Sequence, residues 1–316
     1  MPRQDQSQKW LKLLGDEVRK NQNSFEKTPE NFRLDHPDQE TIHQDCQSLE
    51  DKAPIFQESD LKNALELLLT YYCKTEELEY QTGLHEVLAP FFLMRFSNLK
   101  TVYGAFSTFV QKMLPNMFVG DLNVDLAYNL FQKLIMYHEP ILFNTIQSSF
   151  PSHTTTIKKW LLTGMACLLD SSNLLKLWEF CLSQQNYTLP IYVAISVLYH
   201  QRENIMKKTK SKKKLNFDES ELDDIQEIIK DAITYQTNTP LSFQQKVKKV
   251  LFAENPKKSL ISLLEKLSIV CTSPKDLVGS PVNLVIIDTR EFKEFSKSHF
   301  FKSFNISPDL QISTGK

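Results

Sequence analysis

Hydrophobic residues recur with helical spacing along the first two thirds of the chain. Leu61, Leu65, Leu68 and Tyr72, for example, fall on one face of a helix. Comparable spacing continues through residues 84–94, 102–113, 126–137, 157–169, 174–182 and 190–205, and the alternation typical of strands does not interrupt it. Many apolar helix faces without strands indicate helices packed on helices. The pattern therefore predicts an all-α domain over residues 1–206.

Lysines dominate the chain just after this domain. Six of them fall between Lys207 and Lys214, and an acidic stretch from Asp218 to Asp224 follows. Charge runs of this kind are usually solvated, so we predict an exposed charged linker loop over residues 207–224. A nuclear-import or lipid-binding patch is the alternative interpretation. Helical spacing returns afterwards, which predicts a helical extension over residues 225–272.

A single strand pattern stands near the C-terminal end. Residues 283–288, NLVIID, combine β-branched and aliphatic side chains and follow a turn that contains Gly279 and Pro281. Such a run is typical of a buried parallel strand. Few residues follow it, so we expect residues 273–316 to be an incomplete α/β domain.

Composition and charge exclude several classes of function. The 316 residues carry 37 Lys and Arg against 38 Asp and Glu, a net charge of −1, which gives no overall attraction to nucleic acid. The five cysteines contain no CxxC pair, so we predict buried free thiols and neither a disulfide framework nor a metal site. A polar N-terminus and short apolar runs predict no secretory signal and no transmembrane segment, and hence a soluble protein on the cytosolic side.

Common catalytic motifs are absent from the sequence. It contains no GxSxG, HExxH or GxGxxG, and we expect no bound cofactor. His138 and Glu139 could form a base with its orienting carboxylate. However, neighbouring helical side chains point about 100° apart, so a helix end broken by Pro140 is the favoured interpretation.

Two short segments resemble motifs of one family. Residues 42–48, IHQDCQS, resemble the IxxDxxR motif of the TBC domain, the fold of Rab GTPase-activating proteins, through Ile42 and Asp45. Residues 80–83, YQTG, resemble the family's YxQG motif through Tyr80 and Gly83. Further landmarks follow the family's order: QKWLKLLG at 8–15, YHEP at 137–140, and tryptophans at 160 and 178. The resemblance spans residues 8–206 and implies the all-helical TBC fold.

The resemblance also implies how catalysis would work and why it fails here. In the TBC family, the motif arginine stabilises charge on the transferring phosphoryl group, and the motif glutamine orients the attacking water. An arginine finger contributes about 10³- to 10⁵-fold in rate. The arginine position holds Ser48 and the glutamine position holds Thr82. A hydroxyl replaces neither a guanidinium nor an amide, so we predict a pseudoenzyme without catalytic residues.

Two glutamines lie beside the lost finger positions. Gln47 and Gln81 are each one residue away from the required place. One step along a helix turns a side chain by about 100°, so we expect neither to act as a substitute finger. An active Rab GTPase-activating protein that uses substitute residues remains the alternative hypothesis.

The strand near the C-terminal end belongs to a second resemblance. Residues 285–306 resemble the opening of the rhodanese domain, with Asp288, Arg290, Glu294 and His299 at matching positions. This implies the first strand and helix of an α/β rhodanese-like domain. A rhodanese needs a nucleophilic cysteine after this strand, whereas Cys271 precedes it. Sulfur transfer is therefore a remote alternative.

A degenerate TBC domain followed by a rhodanese-like start implies a binding protein. TBC proteins of this kind suggest an adaptor that links golgin coiled-coil tethers to endosome-derived vesicles at the trans-Golgi network. We accordingly expect a golgin partner, a Rab GTPase bound without activation as a further possibility, and attachment to membranes through partners. The expected location is the cytoplasmic face of the trans-Golgi network and of the vesicles.

Overall fold

The structure of the protein is a computed structural model. It describes residues 3–25, 33–52, 54–150, 153–211, 222, 224–253, 256–277 and 285–306. The chain divides into two compact units, residues 1–271 and residues 272–316. The first unit contains the predicted all-α domain and its extension, so these two parts form one body rather than separate domains.

The described residues of the first unit form helices that are joined by turns and loops. Two short 3-10 helices, Leu49–Asp51 and Pro54–Gln57, lie between the α-helix that ends at Ser48 and the one that begins at Ser59. The α-helices are α1 (Arg3–Leu14), α2 (Glu17–Ser24), α3 (Gln39–Ser48), α4 (Ser59–Thr75), α5 (Leu84–Leu93), α6 (Leu99–Met113), α7 (Asp121–His138), α8 (Pro140–Ser149), α9 (His153–Leu162), α10 (Ser171–Ser183), α11 (Leu189–His200), α12 (Arg202–Ser211), α13 (Ile225–Asn238), α14 (Leu241–Leu251) and α15 (Lys258–Lys266).

Aromatic side chains fill the centre of this unit. The ring of Phe91 on α5 lies 5.9 Å from that of Trp10 on α1 and 5.4 Å from that of Phe109 on α6. Phe109 in turn lies 4.3 Å from Trp178 on α10, whose Nε1 donates a hydrogen bond to the Gly164 carbonyl at 2.8 Å. Burying such rings contributes a large share of the folding free energy. The sequence landmarks Trp10 and Trp178 are thus core residues.

The helical extension packs directly on the TBC-like helices. Ile228 and Ala232 of α13 are fully buried, and α13 lies against α11. Helix α11 is buried on almost all sides, which explains why its sequence has no polar face. The predicted extension is therefore helical, and it completes the core beside α11.

The predicted loop at residue 207 is wrong at its start. Helix α12 continues to Ser211, because Ile205 is fully buried and Lys207 pairs with Glu203 one turn earlier at 3.8 Å. Lysine also has a high helix propensity, so a lysine run by itself does not stop a helix. The loop's remaining residues 212–221 and 223 lie outside the described residues, and Asp224 already caps α13.

The second unit contains a small parallel ladder. Its elements are α16 (Pro274–Leu277), β1 (Ile287–Asp288), α17 (Phe292–Lys297) and β2 (Phe304–Asn305). Ile287 pairs with Phe304 and Asp288 with Asn305 in parallel register, as a strand, helix and strand in sequence require. The turn around Gly279 and the start of the predicted strand, residues 283–284, lie outside the described residues.

The predicted burial of this strand is wrong. Ile287 is 51% exposed and Phe304 is 65% exposed. A parallel strand is buried when helices cover both faces of its sheet. The described part of this unit has one six-residue helix after β1 and a ladder of two strands, which leaves the apolar side chains open.

Candidate functional site

Asp45 and Tyr80 of the predicted site meet His85, which the sequence analysis did not single out, beneath the protein surface. Helix α3 provides Asp45, the segment before α5 provides Tyr80, and the first turn of α5 provides His85. The Tyr80 hydroxyl donates a hydrogen bond to Asp45 Oδ2 at 2.8 Å and lies 3.0 Å from His85 Nδ1. His85 Nδ1 is also 3.3 Å from Asp45 Oδ2. The cluster ties α3 to the start of α5.

The protonation states of this cluster suit a structural role. Burial acts to raise the pKa of Asp45, but hydrogen bonds from His85, Tyr80 and Thr82 lower that pKa below its usual value. Burial and the adjacent Asp45 carboxylate raise the pKa of Tyr80 far above its ordinary range. Asp45 therefore remains an ionised acceptor and Tyr80 a neutral donor at neutral pH, so neither transfers a proton there.

Both lost finger positions lie on the exposed side of the same cluster. Ser48 is the last residue of α3, and its hydroxyl donates to the Asp45 carbonyl at 2.7 Å. Thr82 is exposed, and its side chain hydrogen-bonds to Asp45. The structure thus brings Ser48 and Thr82 together around one residue. Each hydroxyl already has a partner within the protein, and neither carries charge.

The other two matching motif residues serve packing. Ile42 is fully buried on α3. Gly83 has φ +117°, and a Cβ atom there would lie 2.9 Å from Thr163 Cγ2. Only glycine combines that backbone conformation with so close a neighbour. Both residues therefore hold the site in shape without providing chemistry.

The two glutamines beside the finger positions, Gln47 and Gln81, differ in burial and in their contacts. Gln47 Nε2 lies 2.7 Å from His43 Nε2, and His43 Nδ1 lies 2.8 Å from Glu66 Oε2. This chain of contacts runs from α3 to α4 and fixes Gln47 along its own helix. Gln81 is half-buried, and its side-chain oxygen is out of contact with solvent. That neither glutamine acts as a substitute finger stays a prediction.

Sequence reasoning missed a charged group at this site. Glu86, in the first turn of α5, is only 6% exposed, and its Oε1 accepts from Lys52 Nζ at 2.8 Å and from Lys159 Nζ at 3.2 Å. Lys52 and Lys159 thus meet at one buried carboxylate, and in the sequence Lys52 lies four residues beyond Ser48 and Glu86 four residues beyond Thr82. The adjacent polar residues His85 and Glu86 in the otherwise apolar helix α5 were the available signal.

The four residues at which the sequence resembles the rhodanese opening lie in local networks of the second unit. Arg290 pairs with both oxygens of Asp288, with Nη2 at 2.6 Å from Oδ2 and Nε at 3.0 Å from Oδ1, and lowers the pKa of Asp288 to about 2. Arg290 Nη2 also donates to the Ser298 carbonyl at 2.6 Å. Glu294 pairs with Lys297 at 2.5 Å, and His299 Nδ1 lies 3.0 Å from the Phe295 carbonyl. These contacts brace the turns on either side of α17.

His138 and Glu139 do not form a catalytic pair. His138 ends α7 and Pro140 begins α8, as predicted for a helix broken by proline. His138 Nε2 lies 2.8 Å from Thr239 Oγ1, whereas Glu139 accepts a hydrogen bond from Tyr235 at 2.9 Å. Burial lowers the pKa of His138 to about 4. Each side chain instead joins α7 and α8 to the helical extension.

The remaining sequence expectations concern thiols, metals and membranes. All five cysteines are free; three are buried, but Cys167 and Cys271 are only half-buried. Among the described residues, no group of three or more His, Cys, Asp or Glu side chains is arranged to hold a metal ion. Within the same residues, none of the helices combines the length and apolar character that crossing a bilayer requires.

Curated relatives share part of this chain. It is 26% identical over 248 residues to a TBC domain-containing protein kinase-like protein of Dictyostelium discoideum, covering 73% of this chain and 23% of that protein. A human protein of the same name is 24% identical over 168 residues, 52% of this chain and 19% of its own length. Human TBC1 domain family member 21 is 28% identical over 174 residues, 53% of this chain and 50% of that protein. The chain spans at most half the length of these relatives.

Solved structures and a family model agree on the fold. The Ypt/Rab-GAP domain of Gyp1p matches with a TM-score of 0.58 at 14% identity over 75% of this chain and 89% of that one. The Chlamydomonas flagellar RabGAP TBC domain matches with a TM-score of 0.56 at 14% identity, over 74% and 81% of the two chains. The family model of the Rab-GTPase-TBC domain matches residues 6–206, close to the predicted 1–206. The chain therefore belongs to the Rab-GTPase-TBC domain family.

Proposed function

We propose that this chain is a non-catalytic TBC protein that acts by binding other proteins. One observation carries the proposal: the two finger positions hold Ser48 and Thr82, whose hydroxyls both bond to Asp45. No guanidinium is available at the first position to stabilise phosphoryl charge, and no amide is available at the second to orient water. The buried cluster of Asp45, Tyr80 and His85 stabilises the fold but does not supply the two catalytic groups.

The finer proposal concerns the partner and the place of action. A degenerate TBC domain followed by a rhodanese-like start resembles TBC domain family member 23. This resemblance supports an adaptor that binds a golgin tether in endosome-to-trans-Golgi transport, at the cytoplasmic face of those membranes. The all-helical surface favours a helical partner segment, because grooves between helices accept amphipathic helices.

A nucleotide-controlled pulldown tests the adaptor function. The purified chain is immobilised and incubated with Golgi extract in the presence of either GTPγS or GDP, and bound golgins are quantified by mass spectrometry. We expect equal golgin recovery with both nucleotides, and the same recovery with the double variant Ser48→Arg, Thr82→Gln. Recovery of a Rab only with GTPγS, and no golgin, would contradict the adaptor proposal.

A second function is an active GTPase-activating protein that uses substitute residues. The ammonium groups of Lys52 and Lys159 favour it, because both pair with Glu86, and Lys52 and Glu86 each lie four residues beyond a finger position in the sequence. A lysine offers a point charge without the planar fork of arginine, and Glu86 offsets part of that charge. If this function is real, Lys52→Ala and Lys159→Ala will each abolish GTPase stimulation, while Lys62→Ala, in an ion pair with Glu50, will leave it intact.

Sulfur transfer is the weakest of the three proposals. All five cysteines of these 316 residues precede β1, and Arg290 is occupied by Asp288 and the Ser298 carbonyl. Thiosulfate sulfurtransferase assay of the purified chain should give no activity above a protein-free control.

A further inference from the structure

A cleft lies on the first unit, away from Ser48 and Thr82. The turn between α10 and α11, the end of α13 and the length of α14 enclose a space of about 210 Å³. Sites for drug-sized ligands are usually about 300–1,000 Å³. The cleft therefore suits one or two anchoring side chains of a peptide better than a cofactor.

A rigid set of amide groups forms the floor of the cleft. Asn186 and Gln236 exchange two side-chain hydrogen bonds, with N···O distances of 2.6 and 3.0 Å, and Gln236 also donates to Thr188 at 3.0 Å. Gln244 donates to the carbonyls of Gln236 and Thr239, both at 2.8 Å. These bonds fasten α14 to α13. A preformed floor lowers the entropic cost of binding.

The walls provide apolar contact area. Leu241 opens α14 and is 59% exposed, and the rings of Tyr187 and Phe252 lie 6.3 Å apart at the other side. Leu241, Gln245, Lys248 and Phe252 succeed one another at helical spacing, so one face of α14 borders the cleft along its whole length. Leu241 and Phe252 are eleven residues apart on one helix, roughly 16 Å along its axis, so a peptide crossing the cleft would place one apolar side chain at Leu241 and a second at the aromatic pair.

The charge at the cleft is positive. Of the three lysines of α14, Lys246, Lys248 and Lys249, Lys248 is among the residues that line the cleft, and neither the helix nor the lining includes an acidic residue. Lys248 and Lys249 are exposed, and neither forms an ion pair with any acidic side chain that the structure describes. Lysines in the last turn also interact favourably with the helix dipole, which explains their position and leaves their charge open to a partner.

We propose that this cleft binds an acidic peptide segment of a partner protein through two apolar anchor residues. One anchor would contact Leu241 and the other the Tyr187–Phe252 pair. An acidic residue between them would meet Lys248, Lys249 beside it would add attraction at longer range, and the exposed amide of Gln245 would bond the peptide backbone. The inference rests on the adaptor function only for the source of the segment, since the cleft's chemistry defines the segment itself.

Fluorescence anisotropy with defined peptides tests the cleft directly. The probe is a short fluorescein-labelled peptide with a leucine and a phenylalanine four residues apart and glutamates between and beside them, and its counterpart has lysines in place of the glutamates. We expect the purified full chain to bind the acidic probe and not the basic one. The double variant Lys248→Glu, Lys249→Glu should weaken binding by about tenfold or more, and Leu241→Ser by about fivefold.

Matched controls separate this result from general charge effects. Arg19 and Lys20 form an adjacent exposed basic pair on α2, which packs on α6, so Arg19→Glu with Lys20→Glu makes the same charge change elsewhere. This control should alter affinity by less than about twofold, because charges beyond a Debye length are screened. Thermal melts of each variant show that the fold is retained.

Three outcomes would overturn the proposal. They are equal binding of the acidic and basic probes, equal weakening by the α14 and α2 variants, and self-association of the chain that the α14 variant abolishes, which would assign the cleft to a second copy. Golgin recovery in the pulldown is scored separately. Golgin recovery without probe binding would contradict peptide binding at this cleft and support the adaptor function. Probe binding without golgin recovery would support peptide binding at the cleft and contradict the adaptor function.

Discussion

The buried side and the exposed rim of the candidate site differ in what they retain. On the buried side, Tyr80 and His85 are 9% and 3% exposed and share contacts with Asp45. On the rim, Ser48 and Thr82 are both exposed. Losing a buried polar partner destabilises a fold, whereas changing an exposed side chain usually does not. Exposed residues such as Ser48 and Thr82 can therefore change while the TBC domain keeps its structure.

Substituting Gly83 should give the largest effect on the buried side. Alanine would need φ near +117° and would place its Cβ 2.9 Å from Thr163 Cγ2. Backbone strain and the close contact together should lower the free energy of unfolding by about 3 kcal/mol. Urea denaturation of Gly83→Ala measures this loss.

Gly120 offers a matched control for that substitution. It also has positive φ, +79°, but nothing lies within 4 Å of the position that a Cβ atom would take there. Gly120→Ala should therefore cost only the backbone strain, about 1 kcal/mol. Equal losses for the two variants would show that Thr163 does not restrict the site.

Removing the Tyr80 hydroxyl should have the next largest effect. Tyr80→Phe deprives Asp45 of a 2.8 Å hydrogen bond in a buried setting and should cost about 2 kcal/mol. Tyr137→Phe is the control, because Tyr137 is 47% exposed and its hydroxyl is 3.4 Å from the Asn238 carbonyl. We expect the control to lose less than about 0.5 kcal/mol in the same denaturation assay. Similar losses would argue against a structural role for the cluster.

His138 extends the comparison to a buried polar group outside the site. Its pKa is lowered to about 4, so the unfolded chain binds a proton between pH 6.5 and 4 that the folded chain does not. Stability should therefore fall as the pH falls through this range. Since His138 is partly exposed, we expect a loss of about 1 kcal/mol between pH 7 and pH 5.

A glutamine substitution isolates the His138 contribution. Thr239 Oγ1 donates to the Tyr235 carbonyl, so His138 Nε2 carries the proton of the bond to Thr239. A glutamine side chain at position 138 would place an amide N–H in a similar position, and this amide does not bind a proton in the pH range of the experiment. Unfolding of His138→Gln should accordingly depend less on pH, and an unchanged pH dependence would assign the effect to other groups.

Changes on the rim should have the smallest effect on stability. Ser48→Ala and Thr82→Ala each remove an exposed hydroxyl and should change the free energy of unfolding by less than about 0.5 kcal/mol. Denaturation of both variants, beside Tyr80→Phe, tests the contrast between rim and buried side. A loss above about 2 kcal/mol for either would mean that the rim also supports the fold.

Local patterns in the sequence predicted the helices and the motif residues of the site. Apolar spacing located the helices of the TBC domain, and the motif words located Asp45, Tyr80, Ser48 and Thr82. The sequence did not reveal the buried ion pair of Glu86, because its partner Lys159 is 73 residues away in the sequence. Pairings of that kind depend on how α5 and α9 pack, which spacing within one helix does not reveal.

The two wrong predictions have a common physical cause. Residues 207–211 were assigned to a loop on charge alone, although buried Ile205 anchors the helix that contains them. β1 was assigned to a buried strand on apolar character alone, although Ile287 is half exposed. Burial depends on the surrounding elements, so neither charge nor apolarity within a segment determines it.

Single-turnover GTP hydrolysis across a panel of purified Rab proteins tests the central claim most directly. The account predicts that the native chain accelerates hydrolysis by less than about twofold on every Rab, because Ser48 and Thr82 provide neither charge nor an amide. The double variant Ser48→Arg, Thr82→Gln shows on the same panel whether the intact scaffold still docks a GTPase. Stimulation of about a hundredfold or more by the native chain, a barrier change of about 2.7 kcal/mol, would contradict the non-catalytic assignment.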